Sequence, residues 1–256
     1  MILACDIGNT NIAFGFFEMN TLVFKAKLQT SYYGKFKSYL KNILRPNNAG
    51  IGRIKASIIC SVVPRINKKI KDALSDVSGR PVYLVGKDLV VPIKNIYAKP
   101  KQVGQDRLVC AYIASRIYGA PVISVDLGTA ITFDIVSKNR EYLGGIIVPG
   151  LNLSLSALDQ NTALLSEIKL AHPKTIIGTD TRQSMLSGVT FGFGSLIDGL
   201  ADKLKRELGS KTKIVASGGD SLFIKRYCRK IDYFAPDLIL KGLAELLNDK
   251  LRIDSL

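Results

Sequence analysis

The chain has 256 residues, 47% of them hydrophobic and 22% charged. Those proportions exclude wholesale disorder, which needs low hydrophobicity and high net charge to prevent collapse. Lys and Arg number 36 against 21 Asp and Glu, a balance of +15 that draws anionic partners.

In chain order, Ile2 to Asp6 is an apolar run and Gly8-Asn9-Thr10 is turn chemistry. Ile12 to Phe17 is a second strand, and Glu18-Met19-Asn20 turns into a third from Leu22 to Leu28. A helix is predicted over Lys35 to Leu44, a buried strand over Ile54 to Val63, and a helix over Arg65 to Val77. Val82 to Val85 is another short strand, and a connection with Pro92, Tyr97 and Pro100 leads to Gly104-Gln105-Asp106-Arg107. A helix begins there and runs to Tyr118.

The pattern then restarts. Val122 to Asp126 is a strand, Gly128-Thr129 a turn, Ile131 to Val136 a second strand and Tyr142 to Val148 a third. Helical material follows around Leu151 to Leu158 and from Thr181 to Leu208, the latter interrupted by Gly188, Gly192 and Gly194. A late strand, Lys213 to Ser217, ends in Ser217-Gly218-Gly219-Asp220, and a helix from Pro236 to Leu247 closes the chain. Two hairpins that each open strand–Asp–x–Gly–turn–strand, half the chain apart, read as an internal duplication. The expected fold is α/β, with domains 1–118 and 119–256 facing each other across a ligand-binding cleft.

The lysines are scattered (Lys25, Lys27, Lys35, Lys37, Lys41, Lys68, Lys69, Lys71) and form no tight cluster interleaved with aromatics. They read as a solvated basic surface, and no nucleic-acid partner is expected. Apolar stretches such as Ile58 to Val63 are too short to cross a bilayer, so no membrane association is expected. The N-terminus lacks the basic start and long apolar run of a secretory signal, and a cytoplasmic location is expected. Cys5, Cys60, Cys110 and Cys228 are far apart and form no C-x-x-C pair, which suits buried reduced thiols. His172 is the only histidine, beside Pro173 in a polar stretch that reads as a surface loop. An H-E-x-x-H zinc site is therefore excluded, and acid–base work falls to a carboxylate.

Asp6-Ile7-Gly8-Asn9-Thr10-Asn11 can be read in two ways. It is either an ordinary hairpin turn or a place where successive backbone N–H groups point at an anion. In the second reading the aspartate's natural work is to hold Mg²⁺ against phosphates. The second copy, Asp126-Leu127-Gly128-Thr129, favours the phosphate reading, as does the absence of G-x-x-x-x-G-K-[ST] and of G-x-G-x-x-G. Gly104-Gln105-Asp106-Arg107 is an N-cap signal and, equally, a carboxylate beside a guanidinium at a helix start that favours anions. Asp106 is the best general-base candidate in the chain.

Taken in order, these stretches resemble the type III pantothenate kinases, within the acetate kinase and actin superfamily of ribonuclease H-like folds. The resemblance also takes in Ala130-Ile131-Thr132-Phe133-Asp134, Gly144-Gly145-Ile146-Ile147-Val148-Pro149-Gly150 and Gly178-Thr179-Asp180-Thr181. It implies two duplicated ribonuclease H-like domains and the first step of coenzyme A biosynthesis, transfer of the ATP γ-phosphoryl group to pantothenate. Residue by residue, it implies that Asp6, Ile7, Gly8, Asn9, Thr10, Asn11, Ile12 and Ala13 wrap the ATP phosphates, with Asp6 serving Mg²⁺. Thr129 would touch ATP, and Asp126 would hold a monovalent cation (K⁺ or NH₄⁺). Asp106 would deprotonate or orient the pantothenate hydroxyl. Gly104, Gln105, Asp106 and Arg107 would line the pantothenate pocket, with Tyr97 and Thr181 completing it. The resemblance further implies a homodimer.

Overall fold

The computed structural model describes residues 1–44, 53–160 and 168–254. The first part of the chain forms strands β1 (Ile2–Ile7), β2 (Asn11–Glu18) and β3 (Thr21–Gln29), helix α1 (Phe36–Leu44), strand β4 (Ala56–Ser61), helix α2 (Pro64–Ser78) and strand β5 (Val82–Leu84). β6 (Lys94–Asn95) and α3 (Gln105–Tyr118) follow. A second sheet begins with β7 (Val122–Leu127), β8 (Ala130–Val136) and β9 (Glu141–Pro149). It is followed by α4 (Leu151–Gln160), α5 (Thr181–Leu208), β10 (Lys213–Ser217), α6 (Ser221–Ile224), β11 (Tyr233–Phe234) and α7 (Leu238–Ile253).

The two sheets are the same object built twice. The first runs β3-β2-β1-β4-β5, and the second carries the equivalent order β9-β8-β7-β10-β11 with β6 added beyond β9. In each, the opening strand pairs antiparallel with the next and parallel with a later one: β1 with β2 and β4, β7 with β8 and β10. Asp6 lies opposite Ala13 on one side and Cys60 on the other, and Asp126 opposite Thr132 and Ser217. Even the closing contacts repeat, with Thr30 N–H donating to Thr10 O and Gly150 N–H to Thr129 O, both at 2.9 Å. This is a duplicated α/β architecture, as the repeat in the sequence predicts.

Burial explains why the apolar runs become these strands. β1, β4 and β7 are almost wholly buried, as near-continuous apolar strands in mixed sheets covered by helices should be. β3 instead alternates exposed and half-buried along Thr21–Gln29, the period-2 signature of a strand with one face toward water. One core gathers Leu3, Phe14, Phe16, Phe36, Leu40 and Ile70, with the Phe14 and Phe36 rings edge-on at 5.7 Å. A second gathers Ile123, Phe133, Leu151, Leu186, Ile197 and Ile214.

The compact units are residues 1–93, 99–113 and 239–256 (unit 1), and residues 94–98 and 114–238 (unit 2). They therefore depart from two contiguous stretches at the segment carrying Tyr97 and at the closing helix, which groups with the first sheet. Gly15 shows the latter contact, since a Cβ there would lie 3.3 Å from Leu240 Cδ1.

Two local expectations are corrected and a third is sharpened. α5 is one helix of 28 residues, uninterrupted at Gly188, Gly192 and Gly194. Each interior glycine costs about 1 kcal/mol of helix propensity, and burial of Leu186, Val189, Ile197 and Ala201 outweighs it. The connection around Tyr97 is not irregular throughout, because Lys94 and Asn95 pair with Glu141 and Tyr142. His172 is exposed as expected, yet its ring stacks on Phe223 at 4.2 Å and its Nδ1 lies 2.9 Å from the Tyr227 hydroxyl.

Candidate active site

In unit 1, Asp6 sits one residue before the end of β1, half-buried, and the chain then turns through Gly8, Asn9 and Thr10. Gly8 N–H donates to Asn11 O at 2.9 Å, and the Thr30 hydroxyl donates to Gly8 O at 2.7 Å, so the turn is tied from within and from the residue after β3. Asn9, Thr10 and Asn11 are exposed, and Ala13 is half-buried opposite Asp6. Ile7 and Ile12 are 0% exposed, so their side chains belong to the core and only their backbone can meet a ligand.

Asp106 arrives from a different element. α3 starts at Gln105, so Asp106 lies in the first helical turn and not at the cap, where the sequence also allowed it. A carboxylate in a first turn is favoured by the helix dipole. Its Oδ1 is buried without a hydrogen-bond partner, and it presses on Gly104 so closely that any Cβ there would collide with it. A side chain at that position would therefore displace the Asp106 carboxylate from its present place. Burial pushes the Asp106 pKa above the ordinary carboxylate value, opposed by hydrogen bonds from the backbone of Arg107 and Asp106 and by the Arg107 charge.

Burial raises the Cys60 pKa well above its ordinary value, and Asp6 and then Asp106 push it further in the same direction. Arg107 is half-buried beside Asp106, while Gln105 packs its amide on Gly86, where a Cβ would lie 2.9 Å from Gln105 Cδ.

In unit 2, Asp126 holds the position that Asp6 holds in unit 1, but its neighbour on the parallel strand is Ser217, whose hydroxyl donates to Asp126 Oδ1 at 3.0 Å. Gly218 follows with φ +88, and a Cβ on it would lie 2.7 Å from Asp126 Oδ1 and 2.5 Å from Leu127 O. Only glycine suits that conformation and that spacing. Thr129 is exposed at the tip of the two-residue turn between β7 and β8. Tyr97 is 37% exposed, against Gly144 and Tyr142. Thr181 is exposed at the start of α5, next to Asp180, which caps the helix by accepting from Gln183 N–H at 2.7 Å.

Unit 1 carries Asp6, its turn, and Asp106 with Arg107. Within unit 2, Asp126 and Thr129 share one hairpin, while Tyr97 and Thr181 are carried by other segments. Cys60 and Ser217, the strand partners of the two aspartates, were not singled out by sequence reasoning. Their only signal is position, the last or next-to-last residue of the strand paired to each Asp-x-Gly strand. Among the described residues no group of three or more His, Cys, Asp or Glu gathers as for a metal. A divalent ion that keeps water and phosphate oxygens needs only one or two carboxylates, and Asp6 beside an exposed turn fits that demand. A monovalent ion needs a single charge and neutral oxygens, and Asp126 with the Ser217 hydroxyl fits that. No helix among the described residues is long and apolar enough to cross a membrane.

Comparison with known proteins agrees with this geometry. The chain is 40% identical over 256 residues to a type III pantothenate kinase of Finegoldia magna, covering 97% of each. It is 36% identical to one of Persephonella marina, covering 96% of this chain and 98% of that one. Among solved structures, a Campylobacter jejuni protein assigned to the Baf family of transcriptional activators superposes with TM-score 0.61 at 20% identity, covering 98% of this chain and 99% of that one. The activator of 2-hydroxyisocaproyl-CoA dehydratase from Clostridium difficile, with bound ADPNP, superposes with TM-score 0.57 at 11% identity, covering 100% and 97%. These two likenesses speak to the fold alone. The family model of the type III pantothenate kinases matches residues 2–203, and the chain belongs to that family.

Proposed function

We propose that the protein transfers the γ-phosphoryl group of ATP to the primary hydroxyl of pantothenate, giving 4′-phosphopantothenate, the first step of coenzyme A biosynthesis. The observation that carries this reading is near-full-length identity to type III pantothenate kinases, 40% in the first relative. The site chemistry supports it. Phosphoryl transfer asks little covalent work of a protein and much positioning and charge neutralisation. The turn from Asp6 to Ala13 cradles the ATP phosphates with backbone N–H groups and the exposed Asn9, Thr10 and Asn11, and Thr129 supplies a further hydroxyl to ATP. Asp106 receives the pantothenate hydroxyl and orients it for attack. Its buried Oδ1 has an acceptor to spare, and its raised pKa makes it a better base than an ordinary aspartate. Arg107 faces the pantothenate carboxylate, with Gly104, Gln105, Tyr97 and Thr181 completing the pocket.

In the same reading Asp6 holds Mg²⁺, and Asp126, steadied by Ser217, holds K⁺ or NH₄⁺. Bound there, these cations supply positive charge against the phosphates. The enzyme works as a cytoplasmic homodimer, a reading supported by the family resemblance and by exposed Ile176 and Ile177 close to Thr181. The halves 1–118 and 119–256 are its two duplicated domains, with the closing helix α7 exchanged to the first compact unit.

Purified protein incubated with ATP, Mg²⁺, K⁺ and pantothenate should yield a product heavier than pantothenate by one phosphoryl group. Absence of that product with K⁺ and with NH₄⁺ would refute the assignment.

A further inference from the structure

Among the described residues Asp134 is the only charged side chain buried from solvent, at 0% exposure, and no step above uses it. A carboxylate removed from water is costly unless donors satisfy it. Two do: the Tyr142 hydroxyl donates to Oδ1 at 3.0 Å and the Thr132 hydroxyl to Oδ2 at 3.1 Å. An apolar residue of similar volume at such a place is often neutral or stabilising, so fold stability alone gives little reason for the charge.

What Asp134 holds is more informative. Tyr142 is fully buried, and fixing its hydroxyl fixes where the long axis of its ring lies. That ring meets Tyr97, with centroids 6.5 Å apart and planes at 61°. Tyr97 also lies on Gly144, where a Cβ would sit 3.2 Å from Cδ2 and 3.3 Å from Cε2. The backbone is held to the same strand by the pairing of Lys94 and Asn95 with Glu141 and Tyr142 and by Ile96 N–H donating to Tyr142 O at 3.1 Å. The Lys94 side chain also pairs with Glu141 at 2.6 Å, and Tyr97 N–H donates within the segment to Asn95 Oδ1 at 3.0 Å. Segment 94–98 is thus bound to β9 along its backbone, and its one aromatic ring rests against Tyr142.

We infer that Asp134 and Tyr142 are positioning residues for pantothenate: Asp134 orients Tyr142, and Tyr142 with Gly144 seats the ring of Tyr97. The inference rests on the reading of Tyr97 as part of the pantothenate pocket. A residue serving only the core would affect stability and both substrates alike, whereas a seat for Tyr97 affects one substrate.

The test is steady-state kinetics and Tm for the wild type, Tyr142→Phe, Tyr97→Ala and the double variant, with Asp134→Asn as an independent way to loosen the same hydroxyl. Loss of one orienting hydrogen bond should raise KM for pantothenate about fivefold to tenfold. KM for ATP and kcat should stay within about twofold. Tyr97→Ala should raise KM for pantothenate further, and adding Tyr142→Phe to it should change nothing more, the signature of residues acting through one another. An unchanged pantothenate KM in Tyr142→Phe and Asp134→Asn, or effects that multiply in the double variant, would overturn the inference while leaving the kinase assignment standing. A wild-type pantothenate KM in Tyr97→Ala would instead bring down the pocket reading and the inference with it.

Discussion

The hairpin of Asp6 and the hairpin of Asp126 share strand pairing, register and closing hydrogen bonds, and they differ in what stands beside the aspartate. In unit 1 the parallel-strand neighbour is Cys60, a buried thiol. In unit 2 the neighbour is Ser217, a hydroxyl that donates to the carboxylate, and a glycine at φ +88 closes in behind. The turn in unit 1 spans Gly8 to Thr10, one residue more than Gly128-Thr129 in unit 2. A longer, more exposed turn offers more N–H groups to a phosphate chain. A carboxylate fixed by a hydroxyl offers a preorganised oxygen to an ion. Duplication supplied one frame, and the residue on the neighbouring strand is what would separate the two proposed roles.

The largest effect should come from Asp106. Asp106→Asn should lower kcat about a hundredfold to ten-thousandfold and leave ATP affinity nearly unchanged. Its effect on stability has the opposite sign. The folded-state pKa of Asp106 is raised above the unfolded value, so the folded protein binds more protons and loses stability as pH rises between the two values. That cost is fully present at neutral pH and absent below the ordinary carboxylate range. Asp106→Asn should therefore equal or exceed the wild type in Tm at neutral pH and lose that advantage in acid. In the wild type, kcat/KM for pantothenate should fall on the acid side at a pH above the ordinary carboxylate value. A neutral-pH Tm well below wild type would contradict the burial account of Asp106.

Next in size, Gly218→Ala should destabilise by about 1–3 kcal/mol, since it combines φ +88 with a Cβ 2.5 Å from Leu127 O. Gly128→Ala, whose Cβ would meet nothing closer than 3.6 Å, should be far milder. Equal losses in thermal melts would erase this difference around Asp126. The smallest effects should come from exchanging the strand neighbours. Ser217→Cys removes a hydroxyl donor worth about 1 kcal/mol and should weaken monovalent activation several-fold. Cys60→Ser, placing a hydroxyl in a buried site, should cost about as much in stability without altering the response to K⁺.

Much of this frame is legible in the sequence, and the reasons are local. Asp6 and Asp126 each end an apolar run and precede a glycine turn, so strand, turn and repeat follow from residue type and spacing. The apolar periodicity of Ile66, Ile70, Ala73, Leu74 and Val77 anticipates the buried face of α2. What escapes is what depends on distant partners. Lys94-Asn95 carries too few residues for any period and becomes a strand only because β9 presents an edge. The glycines of α5 suggest breaks that packing of the same helix overrides. The same holds for the site. Asp106 is visible at a helix start, but the pairing of Cys60 with Asp6 and of Ser217 with Asp126 is a product of parallel strands and cannot be read from neighbours in the chain. Asp134 stands in a quoted motif without a role until Tyr142 and Tyr97 are seen beside it.

The division of labour between the two aspartates is tested most directly by titrating K⁺ at fixed ATP and pantothenate, in wild type, Asp6→Asn and Asp126→Asn, at several Mg²⁺ concentrations. The account predicts K⁺ activation in the wild type, its loss in Asp126→Asn, and in Asp6→Asn a retained K⁺ response with a weakened response to Mg²⁺. An Asp126→Asn variant activated by K⁺ at the wild-type half-saturating concentration would contradict it.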